Sequence, residues 1–166
     1  HEWDGTDVKV CVILDDASRM VLAGGEFTEI NTENSMLIID QLVDKFWWLC
    51  PLRELILDHG SEFGAHRIHD DGSWNSEFKD HLKKYGIKPI LARAKHPQTN
   101  GKLERFFGEY VKHRPAFHSF DEFITWYNDR PHGSLNFQSL ETPERAFRRK
   151  MPLEAYFAIG HRLFGL

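Results

Sequence analysis

Val8 to Leu14 (VKVCVIL) restricts the fold more than any other stretch, because apart from Lys9 it is apolar throughout. A strand that is apolar at successive rather than alternate positions is expected to be covered on both faces. The neighbouring segments supply the cover. Asp4-Gly5 is a tight-turn dipeptide, so the chain enters in the middle of a β-hairpin. Met20 to Phe27 reads as a strand with a bulge at Gly24-Gly25. Asn31 caps a helix whose apolar positions Ile38, Ile39, Leu42, Val43, Phe46 and Leu49 recur at helical spacing, and Pro51 ends it. Leu52 to Leu57 is a short buried strand that runs directly into Asp58.

Residues 59–74 read as a loop or small irregular hairpin. A helix follows with Phe78, Leu82 and Tyr85 on one face and Gly86 at C′, then a strand from Ile87 to Leu91. Beyond a polar loop, Leu103, Phe106, Phe107, Tyr110 and Val111 mark an amphipathic helix. Ser119 and Glu122 form a capping box for a helix through Trp126-Tyr127, and Thr142-Pro143-Glu144 opens the last clear helix. Strands early and helices accumulating late describe an α/β domain, a mixed central sheet with helices on both faces.

The 166 residues suit one domain, and 41% hydrophobic with 28% charged content is that of a folded chain. Thirteen Phe and five Trp supply core material. No apolar run reaches membrane-span length and the start has no signal-peptide pattern, so no membrane partner is expected. Cys11 and Cys50 read as buried thiols in a reducing compartment, and their spacing does not suit a zinc finger. The net charge of −4 speaks against a dedicated nucleic-acid-binding domain, yet it is compatible with a nuclease core that spends carboxylates on metal.

Two segments carry candidate chemistry. In Leu55-Ile56-Leu57-Asp58-His59-Gly60-Ser61-Glu62-Phe63, an Asp at a strand end is held rigidly at the edge of the sheet, where α/β sites collect. Taken alone, such an Asp is more often a turn cap. The second segment is His96-Pro97-Gln98-Thr99-Asn100-Gly101-Lys102-Leu103-Glu104-Arg105-Phe106. Glu104 in isolation reads as a first-turn Glu favoured by the helix dipole. Its surroundings shift that balance, because Lys88 to Arg114 holds seven Lys or Arg against two acidic residues. Lys95, His96, Gln98, Asn100, Lys102 and Arg105 cluster about a helix start, which suits a phosphodiester substrate. A solvated charged helix face is the competing reading.

These two segments, in this order, resemble the catalytic core shared by retroviral integrases and the insertion-sequence transposases of bacteria and archaea, the DDE-type enzymes with an RNase H-like fold. Asp58-His59-Gly60-Ser61-Glu62-Phe63 resembles the family's D-N-G-S/T-x-F, with His59 in place of Asn. Pro97 to Glu104 is similar to its P-Q-S/T-x-G-x-x-E without a departure. Leu14-Asp15-Asp16-Ala17-Ser18-Arg19 looks like the D-x-x-S-R turn after the family's second strand. Trp126-Tyr127-Asn128-Asp129-Arg130-Pro131-His132-Gly133-Ser134-Leu135, followed by Thr142-Pro143, looks like the transposase W-Y-N-x-x-R-P-H-x-S-L segment.

The resemblance implies metal-dependent phosphoryl transfer on DNA, strand cleavage and strand transfer, with Asp58 and Glu104 as catalytic metal ligands for two Mg²⁺ (or Mn²⁺) ions. It implies DNA partners (element ends and target) held by Lys95, His96, Gln98, Asn100, Lys102 and Arg105. A homo-oligomer in the active assembly is implied too, as is a prokaryotic cytoplasmic, nucleoid-associated location. The spacing of 46 residues from Asp58 to Glu104 exceeds the family's usual one, and the excess is read as an inserted loop at about 64–74. Counting back from Asp15 puts the first catalytic Asp at or before His1, so residues 1–166 are expected to be one core domain truncated at its first strand, inactive alone. Asp15 and Asp16 are then structural turn residues. The alternatives are an RNase H-like nuclease of another branch and a catalytically silent DNA-binding or oligomerisation module.

Overall fold

The computed structural model describes residues 8–49, 52–57, 76–92 and 97–164, and in it the apolar run becomes strand β1 (Lys9–Leu14). Strand β2 (Val21–Phe27) pairs with it antiparallel, from Lys9 opposite Phe27 to Leu14 opposite Val21. The connecting turn is held by Asp15, whose Oδ2 accepts from the Ser18 backbone N–H at 2.7 Å and from its hydroxyl at 2.6 Å. Asp15 is thus a turn residue, as expected. Helix α1 (Thr32–Phe46) follows, its N-cap Asn31 accepting from the Asn34 N–H at 2.8 Å. Strand β3 (Glu54–Leu57) pairs parallel with β4 (Lys88–Leu91), and helix α2 (Glu77–Lys84) comes between them in the chain. The remainder is helical: α3 (Pro97–His113), α4 (Phe120–Asp129), α5 (Pro143–Lys150) and α6 (Leu153–Phe164).

Alternation along β1 shows why both faces are apolar. Val10, Val12 and Leu14 pack with Phe106 and Tyr110 of α3 and Phe123 and Tyr127 of α4. Ile13 faces the other way, into the clusters that contain Ile39 and Leu42 of α1. Helices therefore lie on both faces of a mixed set of strands, as the sequence led us to expect.

Among the described residues the strands form two separate two-stranded sheets, β1–β2 and β3–β4. Between them β1 and β3 wall a cavity of about 190 Å³, bounded by Ile38 and Ile39 of α1 and by Leu103 and Phe107 of α3. Ile56 of β3 lines this gap and is 51% exposed, so β3 is less buried than its composition suggests. Among the described residues only β4 pairs with it.

Several local expectations need correction. The register does not shift at Gly24-Gly25 but between Ile13 and Leu14. Gly24 serves close approach instead, since a Cβ there would lie 2.7 Å from the Cys11 carbonyl oxygen. Helix α1 ends at Phe46, not Leu49; the Leu49 N–H bonds the Phe46 carbonyl at 2.9 Å in a tighter turn that buries Leu49. Tyr85 and Val111, placed on apolar faces by spacing, are exposed, as is much of α6, a helix the sequence reading did not anticipate. Cys11 is half-buried rather than buried. Other signals hold: Gly86 takes φ +69°, Thr142 caps α5, and Ser119 accepts from the Glu122 N–H at 3.1 Å. Glu122 reaches back to the N–H of His118, one residue outside the usual box. The Asp4-Gly5 hairpin, Cys50 and the 64–74 insertion lie outside the described residues.

Candidate active site

Helix α3 positions the second candidate segment, and it starts earlier than the sequence suggests. Pro97 occupies the first helical position, where its missing N–H costs nothing and its fixed φ suits the turn. Gln98 and Asn100 therefore belong to the first turn of α3 rather than to a loop. Glu104 is the eighth residue of the helix, about two turns in, so a favourable interaction with the helix start does not account for it. Its side chain is exposed, and no hydrogen bond or ion pair engages it among the described residues.

Lys102 and Arg105, on the same helix, have different surroundings. The Lys102 ammonium forms an ion pair with the Asp16 carboxylate and donates to the Asp16 carbonyl oxygen at 3.2 Å. Asp16 therefore does more than shape a turn: it ties the β1–β2 connection to α3, a role that residue spacing could not disclose. Arg105 is exposed on the helix surface. Asp58, Lys95 and His96 lie outside the described residues.

A cleft of about 180 Å³ gathers the ends of these elements, with Asp15, Asp16, Leu57, Ala92, Lys102 and Leu103 in its wall. Leu57 is the last residue of β3 and Asp58 follows it; Leu103 precedes Glu104 on α3. Leu57 and Leu103, the chain neighbours of Asp58 and Glu104, thus line one cleft. Among the described residues no group of three or more His, Cys, Asp or Glu is placed to hold a metal ion.

No family model matches this chain. Among solved structures, the catalytic core domain of BIV integrase (crystal form I) superposes with a TM-score of 0.64, covering 90% of this chain and 90% of that one at 18% identity. The fold is RNase H-like. This strand-and-helix order, with helices on both faces, is that of an integrase catalytic core. No helix among the described residues is long and apolar enough to cross a membrane.

Proposed function

We propose that the chain is the catalytic core of a DDE-type DNA transposase or integrase, which performs metal-dependent phosphoryl transfer on DNA. The observation that carries this reading is the cleft shared by the C-terminal end of β3 and the second turn of α3, from which Asp58 and Glu104 extend the chain. The likeness to an integrase core supports it at the level of the fold, and the Trp126 to Leu135 segment favours the insertion-sequence transposase branch.

Divalent metal fits the donor chemistry. Glu104 is an exposed carboxylate without a protein partner among the described residues, and carboxylate oxygen is the donor that hard cations prefer. Asp58 and Glu104 would hold two Mg²⁺ (or Mn²⁺) ions, together with a third carboxylate that the resemblance places upstream of both. When bound, such ions activate a water or DNA 3′-hydroxyl and stabilise the leaving oxygen. Around them the chain's own groups bind and orient DNA. Lys102 is held by Asp16 at the cleft wall, Arg105 stands exposed one residue beyond Glu104, and Lys95, His96, Gln98 and Asn100 complete the DNA-facing set. The element ends and target DNA are the expected partners, within a homo-oligomeric assembly in a prokaryotic cytoplasm.

The test is a paired assay on supercoiled DNA in Mg²⁺ or Mn²⁺, comparing residues 1–166 with a longer chain that carries an upstream Asp-bearing strand. The longer chain should cleave and join DNA and the shorter should not. Asp58→Asn and Glu104→Gln in the longer chain should abolish both reactions, with folding and DNA binding retained. Full activity in Glu104→Gln would sink the reading.

A further inference from the structure

Helix α6 is held to the body by one side only. Ala155 is fully buried, Ile159 lines a cavity of about 380 Å³ with Met20 and Phe147, and the Arg162 guanidinium lies 4.5 Å from the Trp48 ring centroid. These three residues recur at i, i+4 and i+7 and define the inner side of the helix. Leu153, Phe157 and Gly160 repeat the same spacing two residues earlier, which puts them on the outer side. Tyr156, whose hydroxyl donates to the Arg148 carbonyl at 2.7 Å, fixes the rotation of the helix from its flank.

Exposure on that outer side exceeds what scattered surface residues explain. Phe157 is 77%, Leu153 75% and Leu163 70% exposed, more than any other large hydrophobic among the described residues. Large apolar groups left in water along one helix mark a contact surface. The spacing i, i+4, i+7 is moreover that of a coiled-coil seam, and side-chain sizes choose how it pairs. In a parallel pair Phe157 would crowd Phe157, and Gly160 would face Gly160 across a gap. In an antiparallel pair about a two-fold axis, each Phe157 lies over Gly160 of the second copy. The surface there is open, since a Cβ on Gly160 would meet nothing within 4 Å. Both flanks agree with this register. Exposed Glu154 comes opposite exposed His161 of the second copy, and Tyr156 comes opposite Leu163. Bulk against hollow and acid against imidazole, each satisfied twice by one symmetry axis, fit this chain to itself.

We propose that α6 is a docking surface for a second copy of this chain, the two helices pairing antiparallel along Leu153, Phe157 and Gly160. The proposal gives a surface to the homo-oligomeric assembly of the DNA-transfer reading, and it does not depend on the chemistry of that reading. Among the described residues, none of α6 lies in the wall of the metal cleft. Two short helices bury less than about 1,200 Å² between them, the range of weak specific contacts, so the dimer should form at roughly micromolar concentration.

The test is sedimentation velocity of residues 1–166 over rising concentration, without DNA. The parent should pass from monomer to dimer. Phe157→Ser, at an exposed position, should stay monomeric with its melting temperature unchanged. Gly160→Leu should hold or raise the melting temperature, because leucine favours helix, yet weaken association at least about tenfold by filling the hollow. Glu154→Lys should weaken it about two- to fivefold, and His161→Glu in the same chain should restore it. Leu37→Ser, at an exposed apolar position on α1, is the control and should change nothing. A parent that stays monomeric, or a dimer that survives Phe157→Ser and Gly160→Leu, overturns the docking surface. A dimer lost equally in Leu37→Ser places the contact on α1 and overturns it too. None of these outcomes touches the catalytic reading, which Glu104→Gln in the longer chain decides by DNA cleavage.

Discussion

Asn128 bonds the backbone of Val21 twice: its Oδ1 accepts from the Val21 N–H at 2.9 Å, and its Nδ2 donates to the Val21 carbonyl at 2.9 Å. The pair is buried, and it lets α4 stand in for a neighbouring strand at the first residue of β2. Removing the carboxamide would strand two main-chain groups away from water. Asn128→Ala should therefore cost about 2–4 kcal/mol, read as a lower midpoint in urea or thermal unfolding. Asn128→Asp keeps the acceptor but loses the donor, and should not rescue it. A loss under about 0.5 kcal/mol would mean that water replaces the contact.

Tyr127 makes the fold sensitive to alkali. Burial pushes its phenol up to about 12; the field of Glu109 adds to this, and Arg130, Arg19 and Arg105 oppose it. Because the folded pKa exceeds the unfolded one, the contribution is complete below pH ~10 and is lost as pH rises through about 12. A phenol raised that far by burial contributes about 2–3 kcal/mol. Tyr110, raised by burial and by its hydrogen bond to Glu26, acts in the same direction. Denaturant midpoints should fall from pH 9 to pH 11.5, and less steeply in Tyr127→Phe. Equal slopes for parent and variant would count against this account.

The paired glycines of β2 should respond differently to a methyl group. At Gly24 the added Cβ would meet Cys11 backbone and Val12 Cγ1, each at 2.7 Å, on a strand that cannot move away without breaking the ladder. At Gly25 it would meet the Phe27 ring at 2.9 Å, a side chain free to turn. Gly24→Ala should cost about 1–3 kcal/mol and Gly25→Ala clearly less, by chemical denaturation. The reverse order would show that the bulge expected at these residues exists in solution.

Lys102 is already engaged by Asp16, and DNA would have to compete for it. Both side chains reach solvent, so the pair itself is worth only about 0–1 kcal/mol. Asp16→Asn should release Lys102 and raise DNA affinity at low salt, by a few-fold, with little change in stability. Lys102→Ala should lower affinity and flatten its salt dependence across unrelated DNA sequences. An Asp16→Asn variant that binds more weakly would make Asp16 part of the DNA-facing surface rather than a competitor.

Helix starts were legible in the sequence because their causes are local. Asn31, Ser119 and Thr142 each bond an N–H three residues on, and Gly86 takes the left-handed backbone its position demands. The two-faced character of Val8 to Leu14 was equally plain. The start of α3 was harder to read, because Asn100 and Gly101 look like loop residues, while Pro97 and the packing of Phe106 and Tyr110 carry the helix through them. The motif residues Asp58 and Glu104 could be nominated from sequence, but not the cleft beside them.

The sequence by itself determined the α/β class and most element positions, since these follow from propensity, capping and period, while Asp58, Glu104 and Arg105 were nominated by the family resemblance. Only the tertiary structure decided that Lys102 answers to Asp16, that Asn128 closes the edge of β2, and that Arg130 lies over the Trp126 and Tyr127 rings. Those partners lie up to 107 residues apart in the chain. Their meeting is fixed by how α3 and α4 pack on β1 and β2, a collective outcome of apolar burial that local patterns do not encode.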